Sequence, residues 1–303
     1  MNALLYGDPS PSLRWRAAIE LDGATEADDE VAAWRTEIDE SPAVQELVAQ
    51  LESAQSRPRT AGYLLCRLAY LGYRGPATTT AVDAIFASQR PDGSWSDEPT
   101  DEGPRFITMQ TVVPLRGVAA AGFATDPRAE RAYEWLLGVR LEDGSWPAGP
   151  KADLGGPGRP VPPEKEYRRL PQGLGCRSAT TGAVACLALH PDRKQSDSAR
   201  VGVDHLLARE TRDAASIGWE VSRLIGLERA MGQITFYATF DLGFLLDLAS
   251  RCDVSVQDRR MHDLVGYLEA LRGPYGLWQH PAHPQLSGWL SLDLETSLRR
   301  LAP

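Results

Sequence analysis

The chain has 303 residues, 43% of them hydrophobic and 24% charged, and a formal net charge of −9. That length fits one large domain or two of ordinary size, and the apolar content is enough for a sizeable core. The acidic balance argues against a nucleic-acid partner, which proteins meet with basic patches.

No run approaches ~18 consecutive apolar residues, so no membrane span is predicted. Met1–Trp15 lacks the basic-then-apolar layout of a secretory signal, which leaves the cytoplasm as the expected location. The four cysteines (Cys66, Cys176, Cys186 and Cys252) form no CxxC pair and read as buried thiols.

In chain order, Ser12–Leu21 and Ala27–Ile38 are predicted helices that close one side of the molecule within residues 1–54. The string Glu26-Ala-Asp-Asp-Glu30 reads as the acidic first turn of the second. Val44–Ser53 pairs with Ala61–Tyr73, a more apolar helix. Ala81–Ser88 is followed by Gln89-Arg-Pro-Asp-Gly-Ser-Trp95, and then by the apolar helix Phe106–Phe123.

The pattern repeats. In Ala129–Val139, residues Ala132, Trp135, Leu136 and Val139 share one face at i, i+3, i+4, i+7 spacing, and Arg140-Leu-Glu-Asp-Gly-Ser-Trp146 follows. A Gly/Pro-rich loop, Pro150–Gly175, leads to the apolar helix Cys176–Leu189. A loop of this length is a lid, a binding loop or a disordered excursion. Ala199–Arg209 lacks the Gly-x-Trp signature and precedes Phe236–Ser250. Arg260–Leu271 regains it in Arg272-Gly-Pro-Tyr-Gly-Leu-Trp278, ahead of Gly288–Leu301.

In each signature the glycine is expected to end the preceding helix in a left-handed cap, and the tryptophan to fold back as a packing anchor. Asp92 and Asp143, just ahead of the glycines, read as turn residues. A moderately polar helix thus alternates with a greasy one about five times, with almost no strand signal. The expected fold is all-α, an α/α toroid of residues 1–303 with greasy helices inside and polar ones outside. An open solenoid of the HEAT kind shares the alternation without closure.

Gln89…Gly93-Ser-Trp95 resembles the Q-x-x-x-G-x-W repeat motif of squalene-hopene and oxidosqualene cyclases. The copies ending at Trp146 and Trp278 keep Gly-x-Trp and carry arginine in place of glutamine. The resemblance is to the superfamily of terpene cyclases and protein prenyltransferases. It implies one toroid rather than the two of a triterpene cyclase, and a hydrophobic substrate. The D-x-D-D proton-donor motif of class II cyclases is absent from the sequence. The prenyltransferase zinc pattern is also missing: Cys176 has no D-x-C company, and His280 and His283 have too few convergent ligands. No cofactor is expected, and Gly155-Gly-Pro-Gly158 lacks the lysine of a phosphate loop.

In a toroid, the inner-helix N-termini converge on one mouth and favour anions there. Arg57, Arg59, Arg105 and Arg177 lead into inner helices, and the long loop adds Arg159, Lys165, Arg168 and Arg169. Either they grip an anionic head group, with Arg105 and Arg177 foremost, or they pair with Asp101, Glu102, Glu164 and Glu166.

Apolar spacing puts Asp241 and Asp293 in equivalent slots, shared by Thr111 and Thr181 in earlier repeats. An aspartic acid in an apolar cavity can act as a general acid, or it can cap a neighbouring helix. Asp241 is the first candidate, with Tyr237 one turn earlier to relay its proton, and Asp293 is the second. Phe106, Phe236, Phe240 and Trp289 are candidate cavity aromatics, able to steady a cation or simply to pack. The functional expectation is acid-catalysed cyclisation or isomerisation of an isoprenoid or other hydrophobic molecule. Its alternative is a non-catalytic toroid that binds a hydrophobic ligand or a partner protein.

Overall fold

The computed structural model describes residues 3–96, 107–148, 175–208, 216–228, 234 and 236–302. Among them the regular elements are helices: α1 (Ala3–Tyr6), α2 (Pro11–Asp22), α3 (Asp29–Glu40), α4 (Pro42–Ser53), α5 (Pro58–Tyr70), α6 (Pro76–Ala87), α7 (Ile107–Val118) and α8 (Pro127–Gly138). Then come α9 (Arg177–Leu187), α10 (Asp197–Leu207), α11 (Trp219–Ile225), α12 (Phe236–Thr239), α13 (Leu242–Arg251), α14 (Arg259–Ala270) and α15 (Ser287–Leu301). None is long and apolar enough to cross a membrane.

The helix starts are written in local chemistry. Proline opens α2, α4, α5, α6 and α8, where its missing N–H has no partner to lose. Ser10, Ser41, Asp126, Ser196 and Asp258 accept hydrogen bonds from the first-turn N–H groups of their helices. The Glu26–Glu30 string ends as expected, with Asp29 and Glu30 in the first turn of α3.

Apolar helices form the inner ring. α5 packs on α7, α7 on α9, α9 on α12, α13 on α15, and α15 on α2. The more polar α4, α6, α8, α10 and α14 lie against them from outside. The ring closes where Tyr70 of α5 donates to Asp293 Oδ2 of α15 at 2.8 Å. That contact makes the fold a closed α/α toroid and sets aside the open solenoid. All four cysteines are buried free thiols.

Three details depart from the sequence reading. The helix expected over Phe236–Ser250 breaks into α12 and α13, because Asp241 leaves helical geometry to cap α13. The seven-residue α11 went unread; it packs inside, against α5 and α12. The glycines of the Gly-x-Trp turns do not cap the preceding helices, which end on Ser88, Val139 and Leu271 in right-handed or bridge geometry. Gly93, Gly144 and Gly276 instead form the apex of the turn that follows, at φ of +92°, +85° and +74°. The loop 150–175 lies outside the described residues, apart from Gly175.

Candidate functional site

The three Gly-x-Trp turns share one geometry. The indole N–H of Trp95, Trp146 and Trp278 donates to the carbonyl of Ile85, Leu136 and Leu268 at 2.8, 2.8 and 2.6 Å. Each acceptor lies ten residues back, on the preceding outer helix. The backbone N–H of the same tryptophans donates forward to Thr111, Thr180 and Ser291 Oγ at 3.1, 3.1 and 2.8 Å, on the following inner helix. Asp92 and Asp143 accept from the backbone and hydroxyl of Ser94 and Ser145, as turn residues do. Every turn thus staples an outer helix to an inner one and fixes where the inner helix faces the middle of the ring.

That middle holds a cavity of about 200 Å³, walled by α2, α5, α7, α9, α11, α13 and α15. Its floor is small residues, including Ala69, Ala120, Ala185 and Ala188, and its rings are Tyr70 and Phe244. The rest of the wall mixes aliphatic residues such as Leu189, Leu224, Leu248, Leu290 and Leu294 with charged side chains, which a cage of aromatic residues would not contain.

One charged cluster joins α2, α13 and α15. Arg16 Nε donates to Glu20 Oε1 at 2.7 Å, and its Nη2 to Asp293 Oδ1 at 2.8 Å. The Arg16 guanidinium also stacks 4.4 Å from the Tyr70 ring. Asp247 accepts from Arg251 at 2.9 Å and from Arg300 at 2.7 Å. Burial pushes the Asp293 carboxyl up, only partly offset by Arg16. Asp247 is half-buried, and Arg251 and Arg300 outweigh its partial desolvation and hold it well below the usual carboxylate range.

The second cluster joins α7 and α11. Glu220 receives Arg223 through both oxygens at 2.7 Å, and Arg116 Nη2 reaches Glu220 Oε1 at 2.8 Å. Burial works against the Glu220 charge, but the two guanidiniums prevail and keep it ionised.

Asp241 lies on the same wall, between α11 and α13. Its Oδ1 accepts from the backbone N–H of Gly218, Gly243 and Phe244 at 3.2, 2.9 and 3.4 Å. Its Oδ2 accepts from the Glu220 N–H at 2.8 Å. Burial pushes this carboxyl up to about 7 against the pull of those N–H groups, and the Glu220 charge adds to the rise. Oδ2, with one donor, retains a lone pair for a proton.

Beside it, His280 Nδ1 accepts from Ala282 and His283 N–H, so Nε2 carries the proton and donates to Gly218 O at 2.8 Å. Ser222 Oγ, 2.9 Å from the same nitrogen, therefore faces a donor rather than a base. Among the described residues no three His, Cys, Asp or Glu side chains come together as a metal site.

Of the residues singled out in the sequence, Asp241 and Asp293 both reach the cavity, but not as equivalents. Asp241 precedes α13, while Asp293 lies in the second turn of α15. The slot that truly recurs is the hydroxyl that accepts a tryptophan N–H: Thr111, Thr180 and Ser291. Thr181 instead donates to its own helix at Arg177 O.

Phe240 and Trp289 are buried behind the wall. Phe240 packs under the Arg177 guanidinium at 4.7 Å, and Trp289 stacks on Tyr70 at 5.3 Å. Arg177 is buried, with donors on the carbonyls of Thr239 and Leu206. Arg105 and Phe106 lie outside the described residues, as do the side chains of Phe236 and Tyr237. Sequence reasoning missed Arg16, Glu20, Tyr70, Arg116 and Glu220. The signal was present in α2, where Leu13, Arg16, Ala17 and Glu20 form an i, i+3, i+4, i+7 stripe with charges on its inner face.

No family model and no curated protein matches the chain. Among solved structures, a protein from Actinoplanes is similar at 15% identity, with 81% of this chain and 90% of that one covered and a TM-score of 0.34. The type II terpene cyclase MstE from Scytonema, bound to its substrate geranylgeranyl dihydroxybenzoate, is similar at 14% identity, with 89% and 98% covered and a TM-score of 0.34. The same cyclase with its product merosterolic acid A gives 14% identity, 88% and 97% coverage and a TM-score of 0.34. These values are low for a shared fold, so the toroid stands on the contacts of this chain.

Proposed function

We propose that the chain is an enzyme that takes a small hydrophobic molecule into the toroid cavity and isomerises or cyclises it by proton addition and loss. Asp241 is the proposed acid. Its Oδ2 gives a proton to a substrate double bond, the carbon skeleton rearranges, and the resulting carboxylate takes a proton back from a neighbouring carbon. The cycle consumes nothing and needs no cofactor. One observation carries this reading: a fully buried carboxyl on the cavity wall is held protonatable near neutral pH. The Phe244 ring on the same wall would steady positive charge in the cavity.

The volume limits the substrate. An apolar cavity of about 150 Å³ holds one benzene ring, so the space here suits a reacting group of roughly ten heavy atoms.

A second reading is a toroid that binds such a ligand without turning it over. The four backbone N–H groups on Asp241 favour it, since they give the carboxyl a complete structural task. Product analysis by mass spectrometry separates the two. Wild type and Asp241→Asn are incubated with prenyl diphosphates, linear terpenes and prenylated aromatics. A new isomer from folded wild type and none from folded Asp241→Asn supports the enzyme. Product from neither moves the assignment to the binding toroid, and product from both keeps the enzyme but removes Asp241 as its acid.

A further inference from the structure

We infer that the Arg116 end of the cavity is a subsite for a single negative charge, of the carboxylate class. The inference rests on the proposed reading only in placing a ligand in the cavity; proton transfer by Asp241 plays no part in it.

The two ends of the cavity differ in their charge balance. At the α2–α15 end, Arg16, Arg251 and Arg300 face Glu20, Asp247 and Asp293, three charges against three, all linked by contacts of 2.7–2.9 Å. A ligand anion entering there meets guanidiniums whose charge is already balanced, even though Arg16 Nη1, like Arg116 Nη1, has no hydrogen-bond partner among the described residues. At the α7–α11 end, Arg116 and Arg223 share the single carboxylate of Glu220. Arg223 takes both of its oxygens, from Nε and Nη2 at 2.7 Å each. Arg116 is left with one contact, from Nη2, and its Nη1 has no hydrogen-bond partner among the described residues.

The other charged group nearby adds to the imbalance. Arg67, on α5, spends its donors on the carbonyls of Leu224 and Ile225 and brings no counter-charge. Tyr63 and Cys66 face the same cluster, and burial pushes both up and keeps them neutral. Asp241, next along the wall, is largely uncharged below about pH 7. A half-buried guanidinium that shares its one counter-ion with a second arginine keeps charge unspent, and a ligand anion is the partner that would take it up.

Access and shape agree. Arg116 lines the cavity and keeps 13% of its side chain exposed, whereas Arg223 keeps 3% and is not part of the cavity wall. Ala120, one helical turn on from Arg116, and Ala185 line the same cavity with small side chains. Phe244 supports the guanidinium from one side at 4.9 Å. With Nη2 held by Glu220, Arg116 Nη1 can give one charge-assisted hydrogen bond, which suits the single charge of a carboxylate.

Benzoate and its neutral isostere benzamide test the subsite by titration calorimetry on the whole chain at about pH 6, where benzoate is charged and the Asp241 carboxyl is largely protonated. Benzoate is expected to bind about ten- to hundredfold more tightly, the worth of one charge-assisted hydrogen bond or a little more. Arg116→Gln should abolish the difference, Arg116→Lys should keep part of it, and Arg300→Gln and Asp241→Asn should keep it whole. Should Arg116→Gln fail to fold, the wild-type pair and Arg116→Lys still decide. Equal affinity for the two probes, binding of neither, or a preference that survives Arg116→Gln overturns the inference. A preference kept in Asp241→Asn while catalysis is absent from every variant would leave the subsite standing and sink the enzyme reading.

Discussion

A Cβ built on Gly218 would lie 2.5 Å from Cδ2 of His280. Gly218 enters α11 at φ +83°, gives its N–H to Asp241 and its carbonyl to His280, and has no space for a side chain. Gly122 offers the comparison: its φ is +93°, with nothing within 4 Å of the added carbon. Gly122→Ala should cost about 1–2 kcal/mol from backbone strain alone. Gly218→Ala should cost clearly more, because the imidazole must also move. Urea denaturation of both variants checks this, and equal losses would show that the His280 contact is slack.

Asp241 should give stability a recognisable pH dependence. Its folded pKa of about 7 lies above the value of about 3.9 for an unfolded aspartate. A raised acid contributes stability that is fully present below the unfolded value and is lost as pH rises through the folded one. The melting temperature of wild type, measured against Asp241→Asn, should therefore fall between about pH 4 and about pH 7 and level off above. A gap that stays constant through that window would place the carboxylate in its charged form throughout.

His280 runs the other way. Burial lowers its pKa below the ordinary histidine value, so it stays neutral while the unfolded histidine charges. The stability it contributes is present above about pH 6.5 and is lost as pH falls. His280→Gln should flatten the acid side of the stability profile. An unchanged acid limb would mean that other groups set it.

Arg16 holds two carboxylates at the ring closure. Removing it in Arg16→Met leaves Glu20 and Asp293 without their shared counter-ion in a half-buried site, at a cost of about 1–3 kcal/mol. The double variant Arg16→Met/Asp293→Leu should recover a large part of that loss. Chemical denaturation of the single and double variants gives the coupling directly.

The tryptophan staples should behave as equals. Thr111→Val, Thr180→Val and Ser291→Ala each strip the acceptor from a buried tryptophan N–H and should each cost about 1–3 kcal/mol. Thr181→Val, one residue from an acceptor position, removes only a bond to its own helix and should cost less. A ranking with Thr181 above Thr180 would contradict the repeat geometry.

Much of the architecture was legible because it is local. The Gly-x-Trp strings, the prolines at helix starts and the apolar spacing each act within a dozen residues, and they place the ring helices to within a few positions. The site was only half legible. Asp241 and Asp293 stood out as charges inside greasy helices, but their partners come from across the ring. Arg16 lies 277 residues from Asp293, and Gly218 lies 23 from Asp241 across a break in the predicted helix. An amphipathic reading treats an arginine in a surface-like helix as solvated, and it takes the closed fold to turn Arg16 and Glu20 inward. The aromatic residues misled for a related reason. Phe240 and Trp289 have the burial of cavity residues, but they spend it packing under Arg177 and against Tyr70.

The seam between Tyr70 and Asp293 spans 223 residues, whereas each tryptophan turn reaches ten residues back and at most 34 forward. The helix pairs can therefore assemble one at a time from short-range contacts, while the pocket cannot. Its charged wall draws on α2 near one end of the chain and α15 near the other, so it comes into existence only when both arrive. A chain that lost α15 would keep most of its helical signal and lose one wall of the proposed ligand site. Ligand binding would then report on completion of the ring, which helical content alone does not.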